Sequence, residues 1–390
     1  MMRICMVAYA FYDTDTRIKR YAETLVQNGH EVDAISLGRD GQADRGVLNG
    51  VNVYRIQKRI RNEKSKISYF SRTVRFLVLS SIFLTKKHLE KRYDIVHVHN
   101  VPDFEVFAAW FPKLTGAKII LDIHDILPEF YVNKYKIDKH SLTYKLLLFI
   151  EKRSSGFSDH VIIANHLWHK TITSRSIPQN KCTTIMNYPD LDFICHNRSN
   201  EKRENDKFII VYPGSLNYHQ GLDIAIRAIN ILQKNIPKVE LHIYGEGPAK
   251  ESLISLVKEL SLEKQVFIKD HISNDEIINI MKHADLGIVP KRADSFGNEA
   301  FSTKILEFMA LGVPVVVSAT KIDQYYFDES MVKFFKSDND RDLSDAILVL
   351  MKDQDLRKRL VENSQKYIRE NNWEIKKHVY IDIIKGLSWK

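Results

Sequence analysis

Short apolar runs alternate with amphipathic stretches along almost the whole chain, and this alternation most restricts the folds open to it. An apolar run of strand length followed by a helical stretch, repeated, is typical of β-α-β units, which build a parallel sheet with helices on both faces. The alternation occurs twice, from Arg3 to Ala164 and from Phe208 to Ser318, without a repeat of fixed period. The sequence therefore predicts an α/β protein with two doubly wound parallel-sheet domains and ligands in the cleft between them.

The domain boundaries follow from a change in composition. A chain of 390 residues is long enough for two or three domains. The stretch His196–Lys207 is rich in Asn, Glu, Lys and Arg and predicts a linker, because few of its residues can enter a core. We expect an N-terminal domain over residues 1–195, a second domain over 207–365 and a helical tail over 366–390 that could pack back on the first domain. Helices are predicted at 104–114 and 302–311, among others.

Cysteine usage and hydropathy bear on the compartment. Cys5, Cys182 and Cys195 lie far apart and lack the spacing of metal ligands, so a disulfide scaffold and a zinc module are disfavoured. The longest apolar run, Phe76 to Leu84, is about half of the roughly 20 residues that a membrane-spanning helix needs. The N-terminal apolar run meets acidic residues without a small-residue cleavage site, which favours a buried strand over a signal peptide. We therefore expect a cytoplasmic protein.

Positive charge is concentrated in one segment. The net charge is +9, and residues 55–92 alone hold twelve Lys and Arg against two Glu, so the rest of the chain is close to neutral. Such local basicity does not imply a nucleic-acid coat. A basic helix with a stripe of aromatic and aliphatic residues can lie on an anionic membrane surface. The alternatives are a solvated basic face on an ordinary helix and a phosphate-rich or nucleic-acid partner. The expected stripe comprises Phe70, Val74, Leu77, Val78, Ser81 and Phe83.

The strongest chemical signal is the segment EAFSTKILEFMALGVP, Glu299 to Pro314. Glu307 lies among apolar residues, and because a helix that is apolar all round is buried, it would be a buried carboxylate that needs a partner or a polar ligand. Ser302 is a plausible N-cap, and a helix N-terminus with Lys304 beside it is an anion site. The two glutamates would be about 12 Å apart along a helix, which suits a ligand with a central diphosphate and hydroxyl-rich ends. The alternative is a solvent-facing Glu299 and a Glu307 that is salt-bridged in the core.

The pattern Glu-x7-Glu followed by Gly-x-Pro resembles the donor-site motif of retaining glycosyltransferases of family 4, which have the GT-B fold of two Rossmann-like domains facing across a cleft. The resemblance implies that Glu299 contacts the transferred sugar and that Glu307 binds the ribose hydroxyls of the nucleotide. Ser302 and Thr303 would then bind the donor. Other landmarks follow in the family's order along nearly the whole chain: Gly29-His30-Glu31-Val32, Asp94-Ile95-Val96-His97, His124-Asp125, Gly245-Glu246-Gly247-Pro248 and Ala284-Asp285-Leu286-Gly287.

The loop from Gly214 to Gly221 departs from the family. Glycines between a strand and a helix let the backbone approach phosphates, so Gly214 is a predicted donor-binding residue. Many members carry an arginine after the first glycine and a lysine before the last, whereas this chain has Ser215 and Gln220. We assign both to donor binding and expect another cation to replace the missing pair. The candidates, in order, are Lys304, Arg292, Lys291 and His219. A degenerate, inactive homologue is the alternative.

The glycines of a second loop, Gly245 and Gly247, resemble the family's loop near the nucleotide and are also assigned to donor binding. A lone Gly-x-Gly is weak evidence, and a tight turn is the alternative.

In the first domain the candidate residues follow predicted strands. His124 and Asp125 come after the strand that ends at Asp122 and are predicted to face the cleft, where Asp125 would line the acceptor side. The resemblance implies that His124 lies close to the transferred sugar; a structural histidine is the alternative. His97, His99 and Asn100 end another strand and are candidates to line the cleft. No clear carboxylate third ligand is evident, and enzymes of this type generally use no catalytic metal, so no metal site and no further cofactor are predicted.

Arg17 lies in the first strand–helix loop, which usually contains paired glycines in the family. Here the loop resembles that of a subgroup with an Asp-x-Arg signature, often found in surface-polysaccharide synthesis. Arg17 is predicted to face the cleft and contact phosphate, and a surface ion pair with Asp13 or Asp15 is the alternative.

The resemblance implies a retaining, metal-independent glycosyltransferase of the hexosyltransferase type. It would use a nucleotide-diphosphate sugar, UDP favoured over GDP, and a glycan or lipid-linked acceptor of surface polysaccharide or glycoconjugate synthesis. Glu299, His124 and Lys304 are the predicted catalytic residues. The enzyme would lie peripherally on the inner membrane face through segment 55–92 and would not bind nucleic acid. Two alternatives remain: a nucleotide-sugar 2-epimerase of the same fold, and a non-catalytic nucleotide-sugar binder.

Overall fold

The computed structural model describes residues 1–59, 66–135, 137–190, 207–233, 236 and 238–388. The chain divides into two compact units, Met1–Asn187 with Lys376–Lys390, and Tyr188–Ile375. The first unit thus ends before residue 195 and resumes at Lys376, later than the predicted tail. Most of the predicted linker, together with Cys195, lies outside the described residues. Cys5 and Cys182 are buried free thiols.

The first unit contains one eight-stranded sheet. Its strands are β1 Arg3–Ala8, β2 Glu31–Gly38, β3 Arg45–Leu48, β4 Val51–Lys58, β5 Ile95–His99, β6 Lys118–Ile123, β7 His160–Ile163 and β8 Cys182–Thr184. Their order is β3-β4-β2-β1-β5-β6-β7-β8, and among the strands described here only the β3–β4 pair is antiparallel. Every residue of β1 and β5 is buried, as expected for central parallel strands that are covered on both faces.

The helices of this unit are α1 Thr16–Gln27, α2 Lys66–Glu90, α3 Trp110–Leu114, α4 Leu127–Tyr135, α5 Leu142–Phe157 and α6 His166–Arg175, with 3₁₀ turns at Asp103–Ala109 and Gln179–Lys181. The helix predicted at 104–114 is therefore a 3₁₀ turn followed by the short α3. Pro112 has no N–H to continue an α-helix from residue 104. In the observed arrangement it falls in the first turn of α3, where backbone N–H groups have no helical partner.

The second unit has a six-stranded, fully parallel sheet. Its strands are β9 Phe208–Pro213, β10 Val239–Tyr244, β11 Val266–Lys269, β12 Leu286–Val289, β13 Val315–Ser318 and β14 Lys333–Phe335. The order β11-β10-β9-β12-β13-β14 is that of a doubly wound nucleotide-binding sheet. The helices are α7 Leu222–Leu232, α8 Lys250–Glu259, α9 Asn274–Lys282, α10 Thr303–Ala310, α11 Lys321–Tyr326, α12 Asp340–Lys352 and α13 Gln354–Glu370, with a 3₁₀ turn at Tyr218–Gln220. The predicted α/β class with two doubly wound sheets is confirmed.

The last helix, α14 (Trp373–Ser388), begins in the second unit and ends in the first. Tyr380 is fully buried in the first unit, where its hydroxyl lies 2.9 Å from His97 Nδ1 and its ring centroid 4.3 Å from that of Tyr21. Helix α13 packs against α10, so the chain belongs to the second unit until residue 375. This packing explains why the tail begins later than residue 366.

Helix α2 carries much of the basic segment, although residues 60–65 lie outside the described part of the chain. Its buried face comprises Thr73, Phe76, Ser80, Leu84 and His88. That face differs from the stripe predicted from the sequence, and Phe70, Val74 and Val78 of that stripe are exposed. Within the described residues, no helix combines the length and the hydropathy needed to cross a membrane.

Candidate functional site

In the second unit, the sheet reverses its winding between β9 and β12. Strands β10 and β11, which come next after β9 along the chain, lie on one side of β9. Strands β12, β13 and β14 lie on its other side. Ligands of doubly wound sheets bind at such a switch point, outside the carboxyl ends of the strands. Gly214 directly follows β9, and Lys291 and Arg292 follow β12. The predicted donor-binding residues of these loops therefore meet at the switch point.

The two glycine loops pack directly against each other. The Gly214 amide donates to the Tyr244 carbonyl at 2.8 Å, and the Leu216 amide donates to the Glu246 carbonyl at 2.9 Å. A Cβ on Gly245 would overlap the carbonyl oxygen of Gly214, and Gly245 has a φ of 155°. A Cβ on Gly247 would lie 2.4 Å from the carbonyl oxygen of Leu216, which is also an overlap. These glycines are thus required by backbone packing, which is a structural reason for them independent of any nucleotide.

The end of the Gly214–Gly221 loop is held by the main chain. Gly221 has a φ of 65°, and a Cβ there would overlap the Pro290 carbonyl oxygen. Gln220 Nε2 lies 3.1 Å from His219 Nε2, while Gln220 Oε1 is buried and has no hydrogen-bond partner in the described part of the chain. Ser215 is exposed. Neither Ser215 nor Gln220 brings a charge to this loop.

Helix α10 begins at the position predicted from the sequence, but its cap differs from the prediction. Ser302 occupies the N-cap position with extended backbone, yet its side chain makes no capping hydrogen bond. Its Oγ is buried and has no partner among the described residues. Thr303, the first helical residue, is half-buried. A buried hydroxyl and backbone N–H groups with no helical partner thus lie together at the start of α10.

Lys304 brings a cation to the same place. A Cβ on Gly214 would overlap Lys304 Cε and lie 2.7 Å from Nζ, so the ammonium group rests directly over Gly214. Nζ also lies 5.5 Å from the centroid of the Tyr212 ring, within range of a cation–π contact. Burial and the neighbouring Lys291 lower the pKa of Lys304, and Glu307 opposes them. No ion pair of Lys304 within 4 Å is found in the described part of the chain.

The other candidate cations are already neutralised. Lys291 is buried, and its ammonium group lies 3.0 Å from Asp323 and 2.6 Å from the Ala300 carbonyl. Arg292 donates to both carboxylate oxygens of Asp223, at 2.6 and 2.8 Å, and pairs with Asp338. Both residues therefore serve the fold of their loops.

His219 lies close enough to Lys304 and Lys291 to interact with both charges. Burial lowers its pKa, as do Lys304 and Lys291, while Asp294 opposes them. A neutral imidazole adds no cation to the loop. The replacement cation that the geometry favours is Lys304, the first of the predicted candidates.

The positions of Glu307 and Glu299 differ from those predicted from the sequence. Glu307 is on the half-exposed side of α10 and not buried, because Ile305, Leu306, Phe308 and Met309 fill the opposite side. Within the described residues it has no ion pair, which disfavours the salt-bridged alternative. Glu299 precedes the helix by four residues and is half-buried, so the 12 Å estimate along a continuous helix does not apply. Lys291 binds the carbonyl of the adjacent Ala300 and thereby anchors the Glu299 loop.

In the first unit, the switch point lies between β1 and β5, and Asp122 near the end of β6 is its central charged group. Arg17 Nε and Nη2 donate to the two carboxylate oxygens at 2.8 and 2.7 Å. Both side chains are buried. The predicted surface ion pair of Arg17 with Asp13 or Asp15 is wrong, because Arg17 pairs with Asp122 in the interior; its contact with a phosphate stays a prediction. Asp15 instead accepts from the amides of Arg17 and Ile18 and caps α1.

The histidines of this unit surround the same carboxylate. His124 Nε2 lies 2.8 Å and His99 Nδ1 3.0 Å from Asp122 Oδ2. His124 is partly exposed, whereas His99 is buried and not accessible as cleft lining. Asn100 Oδ1 accepts from the His124 amide at 2.7 Å, and its Nδ2 donates to the Asp125 carbonyl. Burial raises the pKa of Asp125, and His124 opposes this. We define His99, Arg17, Asp122 and His124 as the Asp122 cluster.

The cluster contains the carboxylate that was missing from the sequence interpretation of His97 and His99. His97, His99 and Asp122 offer potential metal-ligand atoms within 4.8 Å of one another. Both Asp122 oxygens accept hydrogen bonds from Arg17, however, and a guanidinium disfavours a second cation at the same carboxylate. Asp122 itself could not be recognised as central from the sequence, because Arg17 is 105 positions away.

Comparison with known proteins agrees with this fold. The family Glycosyl transferases group 1 matches residues 196–367, and the Glycosyl transferase 4-like domain matches residues 14–187. The O-antigen biosynthesis glycosyltransferase WclY of Escherichia coli is 28% identical over 264 residues, 64% of this chain and 67% of WclY.

Two solved structures share the fold over almost the whole chain. Sucrose-phosphate synthase of Thermosynechococcus elongatus has a TM-score of 0.79 at 17% identity and covers 99% of this chain and 100% of its own. Anabaena Alr3699/HepE in complex with UDP-glucose has a TM-score of 0.72 at 15% identity, with the same coverage. The chain belongs to the group 1 glycosyltransferases, of the family 4 type, and has the GT-B fold.

Proposed function

We propose that the protein is a retaining glycosyltransferase that transfers a sugar from a nucleoside-diphosphate donor, UDP-sugar in the first place, to a glycan or lipid-linked acceptor of surface polysaccharide synthesis. The observation that carries this proposal is the Lys304 ammonium group over Gly214, beside the start of α10. A cation, a hydroxyl and backbone N–H groups at one point are the donors that bind a diphosphate.

The same groups would stabilise the leaving nucleotide. When the bond between sugar and diphosphate breaks, negative charge grows on the β-phosphate, and preorganised donors aimed at that charge lower the barrier. Lys304 would supply the charge that the family's arginine and lysine provide elsewhere. The Ser302 hydroxyl, buried and without a partner among the described residues, would donate to a phosphate oxygen. Turnover would then need no metal, and we expect it to survive EDTA.

The glutamates fit the roles that the resemblance implies. Glu307 lies one helical turn after Lys304 on the half-exposed side of α10, where its carboxylate would accept from the ribose hydroxyls. Glu299 lies on a loop that Lys291 anchors through the Ala300 carbonyl, and it would accept from hydroxyls of the transferred sugar. A sugar between Glu299 and the diphosphate site would be oriented for transfer, the main source of catalysis in our proposal.

The comparisons support the donor and acceptor classes at a coarser level. The HepE structures contain UDP, UDP with glucose, and UDP-glucose. WclY is named for O-antigen biosynthesis. A uridine nucleotide and a surface-glycan acceptor are therefore the first choices for this chain.

The first experiment is a thermal-shift measurement with UDP, GDP, ADP and CMP on wild type and Glu307→Ala. A nucleotide at 100 times its Kd adds about 2.7 kcal/mol of stability, and 1 kcal/mol moves Tm by roughly 2–4 °C in a domain of this size. We expect UDP to shift the wild type and not Glu307→Ala. Glu362→Ala, which removes an exposed glutamate from α13, is the matched control and should respond like wild type. No shift with any nucleotide would contradict the donor site.

The second experiment tests the reaction. Wild type and Glu299→Ala are incubated with the donor found by thermal shift, with and without glycan acceptors, and the anomeric configuration of the product is read by NMR. Retention with wild type, and loss of transfer in Glu299→Ala with nucleotide binding unchanged, are the expected results. Epimerised donor in the absence of acceptor would instead identify a 2-epimerase.

We also propose that the first unit binds an anionic bilayer through α2 and α3. Phe70, Val78, Ile82 and Leu89 of α2 are 52–70% exposed, and Leu114 of α3 is 77% exposed. An apolar groove of about 590 Å³ is lined by residues that include Ile82, Leu89, Lys86 and Trp110. Exposed apolar side chains with adjacent basic residues such as Arg75 and Lys86 match the interior and the anionic surface of a membrane.

A second apolar stripe lies on α5, where Leu142, Leu146 and Phe149 are 83%, 57% and 54% exposed at helical spacing. Lys145, Lys152 and Arg153 are exposed beside it. Helices α2 and α5 both pack against the 3₁₀ turn Asp103–Ala109. The sequence analysis did not identify this stripe, because α5 lies outside the strongly basic segment 55–92.

Vesicle sedimentation tests the membrane proposal. We expect binding to phosphatidylglycerol-rich vesicles, weaker binding at high salt, and weak binding to phosphatidylcholine. Ile82→Asp should reduce binding strongly. Val47→Asp is the matched control, because Val47 is similarly exposed (68% against 63%) but lies on β3. Equal loss in both variants, or no preference for anionic lipid, would refute the proposed surface.

A further inference from the structure

Asp122 is completely buried and accepts four hydrogen bonds. Arg17 Nη2 donates to Oδ1 at 2.7 Å, and Arg17 Nε donates to Oδ2 at 2.8 Å. Oδ2 also lies 3.0 Å from His99 Nδ1 and 2.8 Å from His124 Nε2. One carboxylate therefore connects α1, β5 and the loop after β6.

Asp122 is ionised in the folded protein. Burial opposes ionisation, but the Arg17 guanidinium and His124 outweigh it and hold the pKa of Asp122 well below its usual range. A carboxylate has no proton to donate. Each imidazole nitrogen that faces Asp122 must therefore carry its own hydrogen.

For His124, this requirement determines the tautomer. Nε2 carries the N–H and faces Asp122, so in the neutral ring Nδ1 is the acceptor. The His124 amide donates to Asn100 Oδ1 at 2.7 Å, and Asn100 Nδ2 donates to Asp103 Oδ1 at 2.8 Å. Asn100 thus fixes the backbone of His124, and Asp122 fixes its ring. The side chain is 21% exposed, so a ligand can reach it, whereas His99 is buried.

We propose that Asp122 is a positioning residue that holds His124 in the Nε2–H tautomer and leaves Nδ1 as the hydrogen-bond acceptor for a hydroxyl group of a bound sugar. A neutral ring in this tautomer accepts from a hydroxyl and offers no hydrogen to a phosphate at Nδ1. The assignment of His124 to a sugar hydroxyl rests on the proposed function. The assignment of the tautomer rests on the geometry alone.

A purely structural role for Asp122 makes a different prediction. If Asp122 only neutralised Arg17, removal of the pair would leave the His124 ring unaffected. Asp122→Asn does not separate the two roles, because Oδ2 accepts from Arg17 Nε, His99 and His124 whereas Oδ1 accepts from Arg17 Nη2 alone, so the amide oxygen would take the Oδ2 position and still accept from His124. The double variant Arg17→Met/Asp122→Leu removes the acceptor without leaving an unpaired buried charge. The His124 ring is then no longer held in one tautomer, and the Nδ1–H form becomes populated.

The test is ¹⁵N NMR of histidine-labelled protein at a pH where the ring is neutral, recorded without donor or acceptor. His124 is assigned with His124→Gln. We expect wild type to show a protonated Nε2 and an unprotonated Nδ1 for His124, and Arg17→Met/Asp122→Leu to show an average of the two tautomers. Arg3→Met/Asp33→Leu is the matched control, because Asp33 is also buried and paired with an arginine, Arg3 at 2.7 Å. It should leave the His124 signals unchanged.

The wild-type spectrum decides the matter even where Arg17→Met/Asp122→Leu does not fold, since an Nδ1–H tautomer in wild type overturns the proposal. An unchanged tautomer in the folded double variant also overturns it. For transfer with the donor found by thermal shift, Arg17→Met/Asp122→Leu should lower kcat at least tenfold and change KM for the donor less than about threefold. A changed tautomer with unchanged kcat would refute the role in catalysis. Absence of transfer in wild type would contradict the proposed function and leave the spectral result standing.

Discussion

Replacement of Lys304 by methionine should separate the donor site from the stability of the second unit. In the free protein the Lys304 ammonium group has no ion pair in the described part of the chain, and burial disfavours its charge. Methionine keeps the length of the side chain and removes that charge. The change loses the cation–π contact with Tyr212, about 0.5–1 kcal/mol, and relieves the cost of burying a cation. We therefore expect the free energy of unfolding to stay within about 1 kcal/mol of wild type.

Donor binding, unlike stability, should be strongly weakened by Lys304→Met. A hydrogen bond to a charged group contributes about 1.5–3 kcal/mol, so Lys304→Met should weaken UDP about 10- to 150-fold. Uridine, which has no diphosphate, should bind wild type and variant alike. Isothermal titration calorimetry with both ligands measures the difference.

Lys291→Met is the matched control, since it makes the same substitution at a neighbouring lysine. Lys291 is buried and paired with Asp323, so its removal leaves an uncompensated buried carboxylate and should cost about 3–5 kcal/mol. That corresponds to a fall in Tm of roughly 6–20 °C. Wild-type UDP affinity in Lys304→Met, or a loss of stability in Lys304→Met as large as in Lys291→Met, would refute the assignment of Lys304 as the phosphate cation.

Three further changes test the surroundings of the two sites. Gly245→Ala should destabilise the second unit and weaken UDP binding, because its Cβ would overlap the Gly214 carbonyl oxygen; calorimetry that finds neither effect would contradict the loop packing. Glu105 is fully buried without a partner for either carboxylate oxygen among the described residues, and burial raises its pKa to about 9. It keeps its proton in the folded state, so stability is lost as pH rises above the unfolded pKa of about 4.3. Glu105→Gln should therefore be more stable than wild type by about 4 kcal/mol at pH 7 and show no difference near pH 4; a difference that does not grow with pH would count against this. Arg17→Met should lose about 3–5 kcal/mol at pH 7. The pKa of Asp122 is depressed in the folded protein, so its stabilising effect is present above the unfolded pKa of about 3.9 and lost at lower pH, and denaturant unfolding should show the gap between Arg17→Met and wild type closing below pH 4.

Local sequence was sufficient for the fold and for the position of most candidate residues. Apolar runs such as Ile4 to Ala8 predict central strands because both faces of a parallel sheet are covered. Since the carboxyl ends of parallel strands meet at one edge, residues that follow strands were correctly expected there, including Gly214 and His124. Lys304 was the first candidate to replace the missing charges, and the structure brings its ammonium group to Gly214.

The sequence was not sufficient to decide which charged groups are already neutralised. Arg292 and Lys291 were candidate phosphate ligands, but Asp223 on α7 and Asp323 on α11 take up their charges. Those carboxylates belong to other elements, and no local spacing connects them to the lysine or the arginine. The half-exposed position of Glu307 was also missed, because a run of apolar neighbours does not reveal which side of a helix faces the core.

The order of strands and helices, the two doubly wound sheets and the family motifs were determined by the sequence itself, because they depend on periodicity and on neighbours along the chain. The Asp122 cluster was decided only by the tertiary structure. Arg17 begins α1 and Asp122 lies near the end of β6, 105 positions later, and they meet because β5 alone separates β1 from β6 in the sheet. Burial of this pair makes the carboxylate a fixed acceptor, and that environment is a property of the folded chain.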